Sequence, residues 1–280
     1  LTTMYLLSKR AAQVAGSLTL AIDAKAKAMK SQGVDVVSYG AGEPDFDTPL
    51  PICQAAIRAI EQGQTRYTPA RGTLELRRAI CEKLARRNNL TYTPDEIVVT
   101  NGAKQALHDA FSAILEEDDE VILMTPCWVS YPELIRMAGG IPVLVERNKE
   151  DGFALDLQAL ESAVTEKTKA IVINSPDNPC GGVLSNEEVK ALADLIIKHD
   201  LIAISDEIYE EFIYEGETPI SLAAARPEMK ERTVLVNGVS KTYAMTGWRI
   251  GYMACPEKLA KAVANWQGHA TGNPNSIAQA

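Results

Sequence analysis

The sequence predicts an α/β fold with a largely parallel sheet. Short runs rich in Val, Ile and Leu alternate along the chain with segments of helical length and periodicity. Several of these runs are almost continuously apolar, as expected for strands that helices cover on both faces. The chain has 280 residues, so one large domain or two modest ones can each bury a proper core.

Eight runs are strand candidates, bounded by polar or glycine-containing stretches. In chain order they are Val36–Tyr39, Ile97–Thr100, Glu120–Met124, Pro142–Glu146, Ala170–Asn174, Leu201–Ser205, Thr233–Asn237 and Arg249–Ala254. Helical periodicity between them is clear, for example, in Leu74–Arg87, Gln105–Leu115 and Asn186–Lys198. Alternating strands and helices are typical of a parallel sheet with crossover helices.

Composition and charge narrow the classes of function. The formal charge of -9 argues against a general nucleic-acid binder, which needs a net positive surface. No apolar run approaches the roughly 18 residues of a membrane helix, so we expect no membrane partner. The five cysteines are scattered without a Cys-x-x-Cys pair, and the three histidines lie far apart, so we expect no metal site. This cysteine usage suits a reducing cytoplasm.

The two ends of the chain look incomplete. The N-terminus lacks an initiator Met and has no signal-peptide pattern. The C-terminus stops at Ala280 within a continuing pattern. We therefore expect the sequence to be a fragment.

Residues that could contact a ligand follow closely after four of the predicted strands. Gly102 follows the first of these strands, Asn178 the second, Asp206 the third and Lys241 the fourth. In open α/β sheets, ligands bind beyond the carboxyl ends of the strands. The sequence therefore predicts a ligand site at one rim of the sheet.

Each rim residue also has an ordinary structural interpretation. Gly102 suits either a phosphate at a helix N-terminus or a simple tight turn. Asp206 suits either a buried cation or a helix cap, and Tyr209 either the same site or core packing. Lys241 is a candidate Schiff-base lysine or an exposed lysine, and Arg249 offers a fork for phosphate. Together these groups are the ones that pyridoxal phosphate requires.

Longer motifs carry a family resemblance. The stretch Gly238–Gly251 fits, at every defined position, the signature small-x-small-Lys-x-x-Ala-hydrophobic-x-Gly-x-Arg-hydrophobic-Gly. Further matches are Ala41–Pro49, Tyr67–Gly72, Ser175–Pro179 and Ser205–Tyr209. With these motifs the sequence resembles the class I/II aminotransferases of the aspartate aminotransferase family, pyridoxal-phosphate fold type I, in their bacterial-type branch. The resemblance runs from about residue 8 to the end.

The resemblance implies a particular architecture. The large domain should contain a mostly parallel, seven-stranded sheet flanked by helices. Residues 1–45 should form an N-terminal arm and a small-domain segment, and residues 46–280 the large, cofactor-binding domain. Most of the small domain, with the arginine that holds the substrate α-carboxylate, is expected beyond residue 280.

The resemblance also assigns roles to single residues. Lys241 should form the Schiff base with the cofactor and move a proton, and Asp206 should keep the pyridine nitrogen protonated. Tyr209 and Asn178 should bond the phenolic oxygen, while Trp128 stacks on the ring. The other cofactor contacts implied are Gly102, Ala103, Lys104, Ser240, Arg249 and, from a neighbouring subunit, Tyr67. The substrate contacts implied are Gly42, Trp128, Asn178, Ser17, Thr19 and Lys104.

The implied activity is transfer of an amino group between an L-amino acid and a 2-oxo acid by a ping-pong mechanism. Aspartate and 2-oxoglutarate are the favoured pair. The phosphate contact from Tyr67 of a neighbouring subunit implies a homodimer with shared active sites. Alternatives within the same fold are an alanine, aromatic or prephenate aminotransferase and a cysteine-S-conjugate β-lyase. A different class is a non-catalytic, cofactor-binding sensor module. Two positions depart from the family pattern: Cys180 replaces a common Thr, and Ala15 replaces a basic residue frequent in prephenate users.

Overall fold

The computed structural model describes residues 8, 11–12, 14–16, 18–40, 42–216 and 218–280. Its centre is one seven-stranded sheet with the strand order β1-β7-β6-β5-β4-β2-β3. The strands are β1 Ile97–Thr100, β2 Glu120–Thr125, β3 Ile141–Glu146, β4 Thr168–Asn174, β5 Ile202–Asp206, β6 Thr233–Gly238 and β7 Gly251–Ala254. Only β7 runs antiparallel to its two neighbours, β1 and β6. The predicted seven-stranded, mostly parallel sheet is confirmed.

Nine α-helices lie in the described part of the chain. They are α1 Leu18–Ser31, α2 Leu50–Glu61, α3 Leu74–Asn88, α4 Ala103–Ile114, α5 Ser130–Met137, α6 Leu157–Ser162, α7 Asn186–Lys198, α8 Glu257–Ala270 and α9 Ser276–Gln279. Local sequence explains where several begin. The Thr73 side chain accepts from the backbone N–H of Leu76 at the start of α3, and Ser185 forms a capping box with Glu188 at the start of α7.

Helices cover both faces of the sheet. Apolar side chains of α4, α5 and α8 pack on one face, in a cluster that includes Val172 and Ile204. Side chains of α6 and α7 pack on the other face, around Ile173 and Ala203. Since successive strand residues point to opposite faces, each of the central strands β4 and β5 contributes to both clusters. This explains the continuous apolar runs in the sequence.

One predicted strand is wrong. Val36–Tyr39 forms no strand and lies in an irregular segment between α1 and α2. Val37 is 75% exposed and Tyr39 94% exposed, so this stretch has neither a neighbouring strand nor a core to cover. A second prediction needs a smaller correction, because β7 begins at Gly251 rather than Arg249. Arg249 has a left-handed backbone with φ 57°, which ends the preceding 3₁₀ turn and is incompatible with a strand.

Candidate active site

The carboxyl ends of β1, β4, β5 and β6 lie at the same edge of the sheet, because these four strands run in the same direction. Gly102, Asn178 and Lys241 follow these ends, as the sequence predicts, and Asp206 is the last residue of β5. We call this edge the active-site rim. Hydrogen bonds and ring contacts connect the residues of this rim from β4 to β7.

At the β1 end of the rim, a helix N-terminus and an arginine lie side by side. Gly102 has φ 83° and precedes the first residue of α4. A Cβ placed on Gly102 would collide with the guanidinium of Arg249, and one on Gly251 would collide with the backbone of Gly102 and Ala103. Arg249 donates to the backbone oxygens of Thr246 (2.9 Å) and Asn101 (3.3 Å). A cationic fork beside free helical N–H groups is a site for a phosphate.

In the centre of the rim, Asp206 is 3% exposed and lacks a cationic partner among the described residues. Its Oδ2 accepts a 2.8 Å hydrogen bond from the Tyr131 hydroxyl, and its Oδ1 accepts from the Ile208 N–H at 3.2 Å. Burial raises the pKa of Asp206 to about 6, although both hydrogen bonds favour the carboxylate. A buried carboxyl group of this kind suits a ligand that brings an N–H cation.

Tyr209 and Asn178 form a polar pair next to Asp206. The Asn178 amide donates to the Tyr209 hydroxyl at 3.3 Å. Asn174 connects this pair to β5, since its side-chain oxygen accepts from the Asn178 N–H (2.9 Å) and its amide donates to the Asp206 backbone oxygen (2.8 Å). Burial, followed by the charge of Asp206, raises the pKa of Tyr209. The pair therefore presents a neutral phenol and an amide to the rim.

Lys241 lies in the turn after β6, half-buried. Its ammonium donates to the backbone oxygen of Gly42 and lies 5.7 Å from the centre of the Tyr209 ring. Burial lowers the pKa of Lys241, Glu43 partly offsets this effect, and Arg249 lowers the pKa further. A lysine whose neutral form is favoured in this way is suited to act as a nucleophile or a base. Ser240, the preceding residue, is buried.

Trp128 and Lys104 lie together at the same rim. The Lys104 ammonium is 4.9 Å from the centre of the Trp128 ring, and burial, then the charge of Arg249, lowers the pKa of Lys104. The Trp128 ring also contacts the ring of Tyr131 edge-on, with 5.3 Å between centroids.

Three predicted site residues are not part of these contacts. Tyr67 is fully exposed in this single chain. Thr19 lies near the start of α1. Ser17 lies outside the described residues.

Tyr131 belongs to the site but is not among the residues that the sequence predicts for it. Its hydroxyl is the side-chain donor to Asp206, although the two residues are 75 positions apart. One signal was available, because Tyr131 lies only three residues after Trp128, in the first turn of α5. That spacing does not reveal the partner across the sheet.

These groups fit pyridoxal phosphate. The buried carboxylate of Asp206 suits the pyridine N–H, the Tyr209–Asn178 pair suits the phenolic oxygen, and the Gly102–Arg249 cradle suits the phosphate. The amine of Lys241 suits the aldehyde. Among the described residues, His, Cys, Asp and Glu form no cluster that would hold a metal ion. The fold and the rim thus define a pyridoxal-phosphate enzyme.

Comparison with known proteins gives the family. A family model for class I and II aminotransferases matches residues 34–280. The chain is 51% identical over 273 residues to the aspartate aminotransferase of Bacillus subtilis, covering 98% of this chain and 70% of that protein. It is 49% identical, with the same coverage, to an aspartate/prephenate aminotransferase of Thermus thermophilus. The chain belongs to the class I and II aminotransferases, which are pyridoxal-phosphate-dependent transferases.

Solved structures show the same architecture. A structure of Thermus thermophilus aspartate aminotransferase with maleate matches with a TM-score of 0.95 and 48% identity, covering 99% of this chain and 71% of that one. The aspartate aminotransferase from Rhizobium meliloti matches with a TM-score of 0.94 and 44% identity, covering 99% and 69%. In the part of the chain that the structure describes, no helix is long and apolar enough to cross a membrane.

Proposed function

We propose that this aminotransferase moves the amino group of aspartate to 2-oxoglutarate in two half-reactions. The observation that carries the proposal is the rim itself, where a half-buried lysine, a buried carboxylate and a phosphate cradle lie together in a family of aminotransferases. The choice of aspartate is supported by relatives at about 50% identity that are named for it. It is also supported by the neighbour whose name includes maleate, a dicarboxylate.

Bound pyridoxal phosphate supplies an electron sink for cleavage of the substrate Cα–H bond. Asp206 keeps the pyridine N–H in place and compensates its charge, while the Tyr131 hydroxyl orients the carboxylate. The Lys241 amine, whose pKa is lowered by burial, would remove the proton from the substrate Cα and deliver it to C4′ of the cofactor. Tyr209 and Asn178 hold the phenolic oxygen through their hydroxyl and amide groups.

The remaining rim residues bind and orient. The N–H groups after Gly102, including that of Ala103, together with Ser240 and Arg249, hold the phosphate at the start of α4. Trp128 covers the cofactor ring. The phosphate thereby fixes the cofactor at one end and Asp206 fixes it at the other.

Substrate recognition rests on a second group of residues. Lys104 offers a positive charge beside Trp128, which suits the distal carboxylate of aspartate. Gly42 and Asn178 meet the α-carboxylate, and Thr19 and Ser17 approach the distal end. The lowered pKa of Lys104 reflects its burial and the charge of Arg249, and the negative charge of a bound carboxylate would oppose both effects.

We also propose the larger organisation that the resemblance implies. Residues 1–45 form the arm and small-domain segment, and residues 46–280 form the large domain. The fully exposed Tyr67 reaches the phosphate of a second copy, so the enzyme is a homodimer with shared sites. The scattered free cysteines suit a cytoplasmic location.

A panel of amino donors tests the function. Loss of the visible cofactor absorbance is followed in single turnovers with aspartate, glutamate, alanine, phenylalanine and a cysteine conjugate. We expect aspartate and glutamate to react fastest and each to leave its 2-oxo acid. Release of ammonia and pyruvate from the cysteine conjugate at a higher rate would instead identify a β-lyase.

A matched variant separates the distal carboxylate contact from the chemistry. Lys104→Met keeps most of the apolar stem over Trp128 but removes the charge. We expect the rate of amino transfer from aspartate to fall about 10-fold or more, since a charged hydrogen bond contributes roughly 1.5–3 kcal/mol. The rate with alanine should stay nearly unchanged. Equal losses for aspartate and alanine would contradict the assignment of Lys104.

A further inference from the structure

Arg147, directly after β3, connects two loops that carry site residues. We infer that Arg147 is a positioning residue that holds Trp128 and Asn178 in place for the cofactor, acting through its ion pair with Asp177. This inference rests on the proposed function, because the two loops matter only if the rim binds pyridoxal phosphate. Neither Arg147 nor Asp177 is part of the contacts assigned to the cofactor or the substrate above.

The first loop follows β2 and leads to Trp128. The Arg147 guanidinium donates to the backbone oxygen of Pro126 at 2.6 Å and reaches that of Thr125 at 3.5 Å. The Arg147 backbone N–H also donates to the Thr125 oxygen at 2.9 Å. Arg147 thus holds the chain at the two residues where β2 ends, only two positions before Trp128.

The second loop follows β4 and carries Asn178. The same guanidinium nitrogen that contacts Pro126 donates to Oδ2 of Asp177 at 2.6 Å, and lies 3.8 Å from the sulfur of Cys180. The backbone of Asp177 is itself fixed, since its N–H donates to the Gly182 oxygen at 2.9 Å and its oxygen accepts from the Gly181 N–H at 2.8 Å. Asp177 therefore transmits the position of Arg147 to its neighbour Asn178.

The pair is nearly buried, with both side chains 10% exposed. A charge pair with so little access to water keeps most of its Coulomb attraction, and loss of one partner leaves the other without compensation. Both loops lack regular secondary structure between the strand ends and the next helices, so no ladder of backbone hydrogen bonds fixes their separation. The Arg147 side chain is a direct bridge between them.

Only arginine suits this position. Its planar group contacts Pro126 and Asp177 through one terminal nitrogen and, at 3.4 Å, the backbone oxygen of Phe153 through the other. A lysine has one charged nitrogen on a flexible stem, so it would keep the ion pair but lose the fixed fork. Arg147→Lys should consequently preserve part of the effect and serve as the conservative variant.

The test measures cofactor binding and its spectrum in the full chain. The dissociation constant of pyridoxal phosphate is expected to rise about 10- to 100-fold in Arg147→Met and about 3- to 10-fold in Asp177→Asn, because charged hydrogen bonds are lost. Arg147→Lys should lie between wild type and Arg147→Met. The pH midpoint of the visible absorbance of the bound cofactor should move upward in all three, since a displaced Asn178 no longer stabilises the phenolate.

The control is an ion pair at the opposite edge of the same sheet. Lys230 lies in the short turn before β6 and donates at 2.8 Å to Glu96, which directly precedes β1 and whose side chain is 11% exposed. Lys230→Met should lower the denaturation midpoint but leave the cofactor dissociation constant and the absorbance midpoint at their wild-type values. Asp177→Asn keeps a side chain of the same shape, so it tests the inference even if Arg147→Met fails to fold.

Two failures are distinguishable. If wild type forms no reducible adduct with pyridoxal phosphate at Lys241, the proposed function is wrong. If wild type binds the cofactor and transfers amino groups, but Arg147→Met and Asp177→Asn match Lys230→Met in both readouts, the positioning role of Arg147 is wrong and its ion pair only stabilises the fold.

Discussion

The charged side chains at the two edges of the sheet differ in whether they form ion pairs within the chain. At the edge where the strands begin, acidic and basic groups pair with each other. The Glu96 carboxylate accepts a hydrogen bond from Lys230 at 2.8 Å, and the Asp119 carboxylate accepts one from Lys169 at 2.8 Å. Asp200 forms an ion pair with Arg232. At the active-site rim, Asp206, Lys241 and Arg249 form no ion pair with any described residue.

The pKa shifts follow the same division. Burial alone would raise the pKa of Glu96, but the ammonium of Lys230 and the N–H of Thr93 lower it overall. Burial raises the pKa of Asp206 to about 6 and lowers that of Lys241, because these groups lack such partners in the described part of the chain. Unpaired buried charges are unfavourable for folding. One edge therefore uses its charges for stability, while at the other Asp206, Lys241 and Arg249 stay available for a ligand that brings the missing charges.

The strongest loss is expected at the nucleophile. Lys241→Ala should abolish both amino transfer and the borohydride-reducible adduct, because no other amine takes its position after β6. Peptide mapping by mass spectrometry checks the site of reduction. Lys104→Ala is the control for the adduct, which it should retain, since Lys104 also lies at the rim with a lowered pKa. An adduct on Lys104 in the wild type would overturn the assignment.

A second large effect is expected for Asp206→Asn. Single-turnover amino transfer should slow by about 10³-fold, equivalent to roughly 4 kcal/mol, because the ring loses the carboxylate that keeps its nitrogen protonated. The free energy of unfolding of the cofactor-free protein should fall by no more than about 1 kcal/mol, as an Asn accepts the Ile208 N–H equally well. Stopped-flow absorbance and urea unfolding measure the two quantities.

The matched variant at the opposite edge is Glu96→Gln. It should lower the free energy of unfolding by about 1–3 kcal/mol, since it removes a hydrogen-bonded charge from a largely buried pair, and leave the transfer rate unchanged. If Asp206→Asn instead matches wild type in rate, Asp206 is only a local cap, and the contrast between the edges disappears.

Glu207, at the same edge as Asp206, makes the free energy of unfolding depend on pH. It lies beside Asp206 but bonds to Ser205 and Ser221, and burial raises its pKa to about 7. Its pKa in the unfolded chain is near 4.5. The folded protein therefore binds the proton more strongly, and this group makes the free energy of unfolding fall as pH rises from about 4.5 to 7.

Glu207→Gln should remove that pH dependence. Relative to wild type, the variant should gain about 2 kcal/mol of stability between about pH 5 and pH 7.5, because a difference of one unit between two pKa values corresponds to about 1.4 kcal/mol. Urea unfolding of the cofactor-free protein at the two pH values measures the gain. Parallel pH profiles for wild type and Glu207→Gln would mean that Glu207 already has a charge partner, and the rim would then resemble the opposite edge.

The mildest change is expected for Tyr131→Phe. Loss of the hydroxyl removes a hydrogen bond that favours the Asp206 carboxylate, so the pKa of Asp206 rises further. Cofactor affinity near pH 7 should fall about 5-fold, roughly 1 kcal/mol, and the acid limb of its pH profile should move to higher pH. Fluorescence titration between about pH 5 and pH 8 measures both.

A second buried tyrosine provides the control for that variant. Tyr92 is 5% exposed, and its hydroxyl has no hydrogen-bond partner in the described part of the chain. Tyr92→Phe removes the same atom from a buried site without touching Asp206, so the pH profile of cofactor affinity should stay in place. A shift of equal size in both variants would show that Tyr131 acts through packing alone.

The sequence predicted those parts of the fold and site that depend on neighbouring residues. Apolar runs gave the seven strands within one or two residues, and the polar residues after them gave the rim. Val36–Tyr39 was mispredicted because its composition suits a strand, while strand formation requires a partner that this segment lacks.

Contacts between distant segments were not predictable. Tyr131 meets Asp206 across 75 positions, and Arg147 meets Asp177 across 30. A lone tyrosine or arginine in the sequence gives no indication of such a partner. The position of Tyr67 depends on a second copy of the chain, so its predicted phosphate contact stays a prediction.

The strand order also governs how the protein assembles. The single pairing partner of β1 is β7, so Ile97 cannot join the sheet until Ala254 has been made. At synthesis rates of ~5–20 residues per second, β1 stays unpaired on the ribosome for roughly 10–30 s. The phosphate cradle after β1 needs Arg249 and Gly251 from the same late segment. The nascent chain therefore cannot complete this cradle before β2 to β6 have been made.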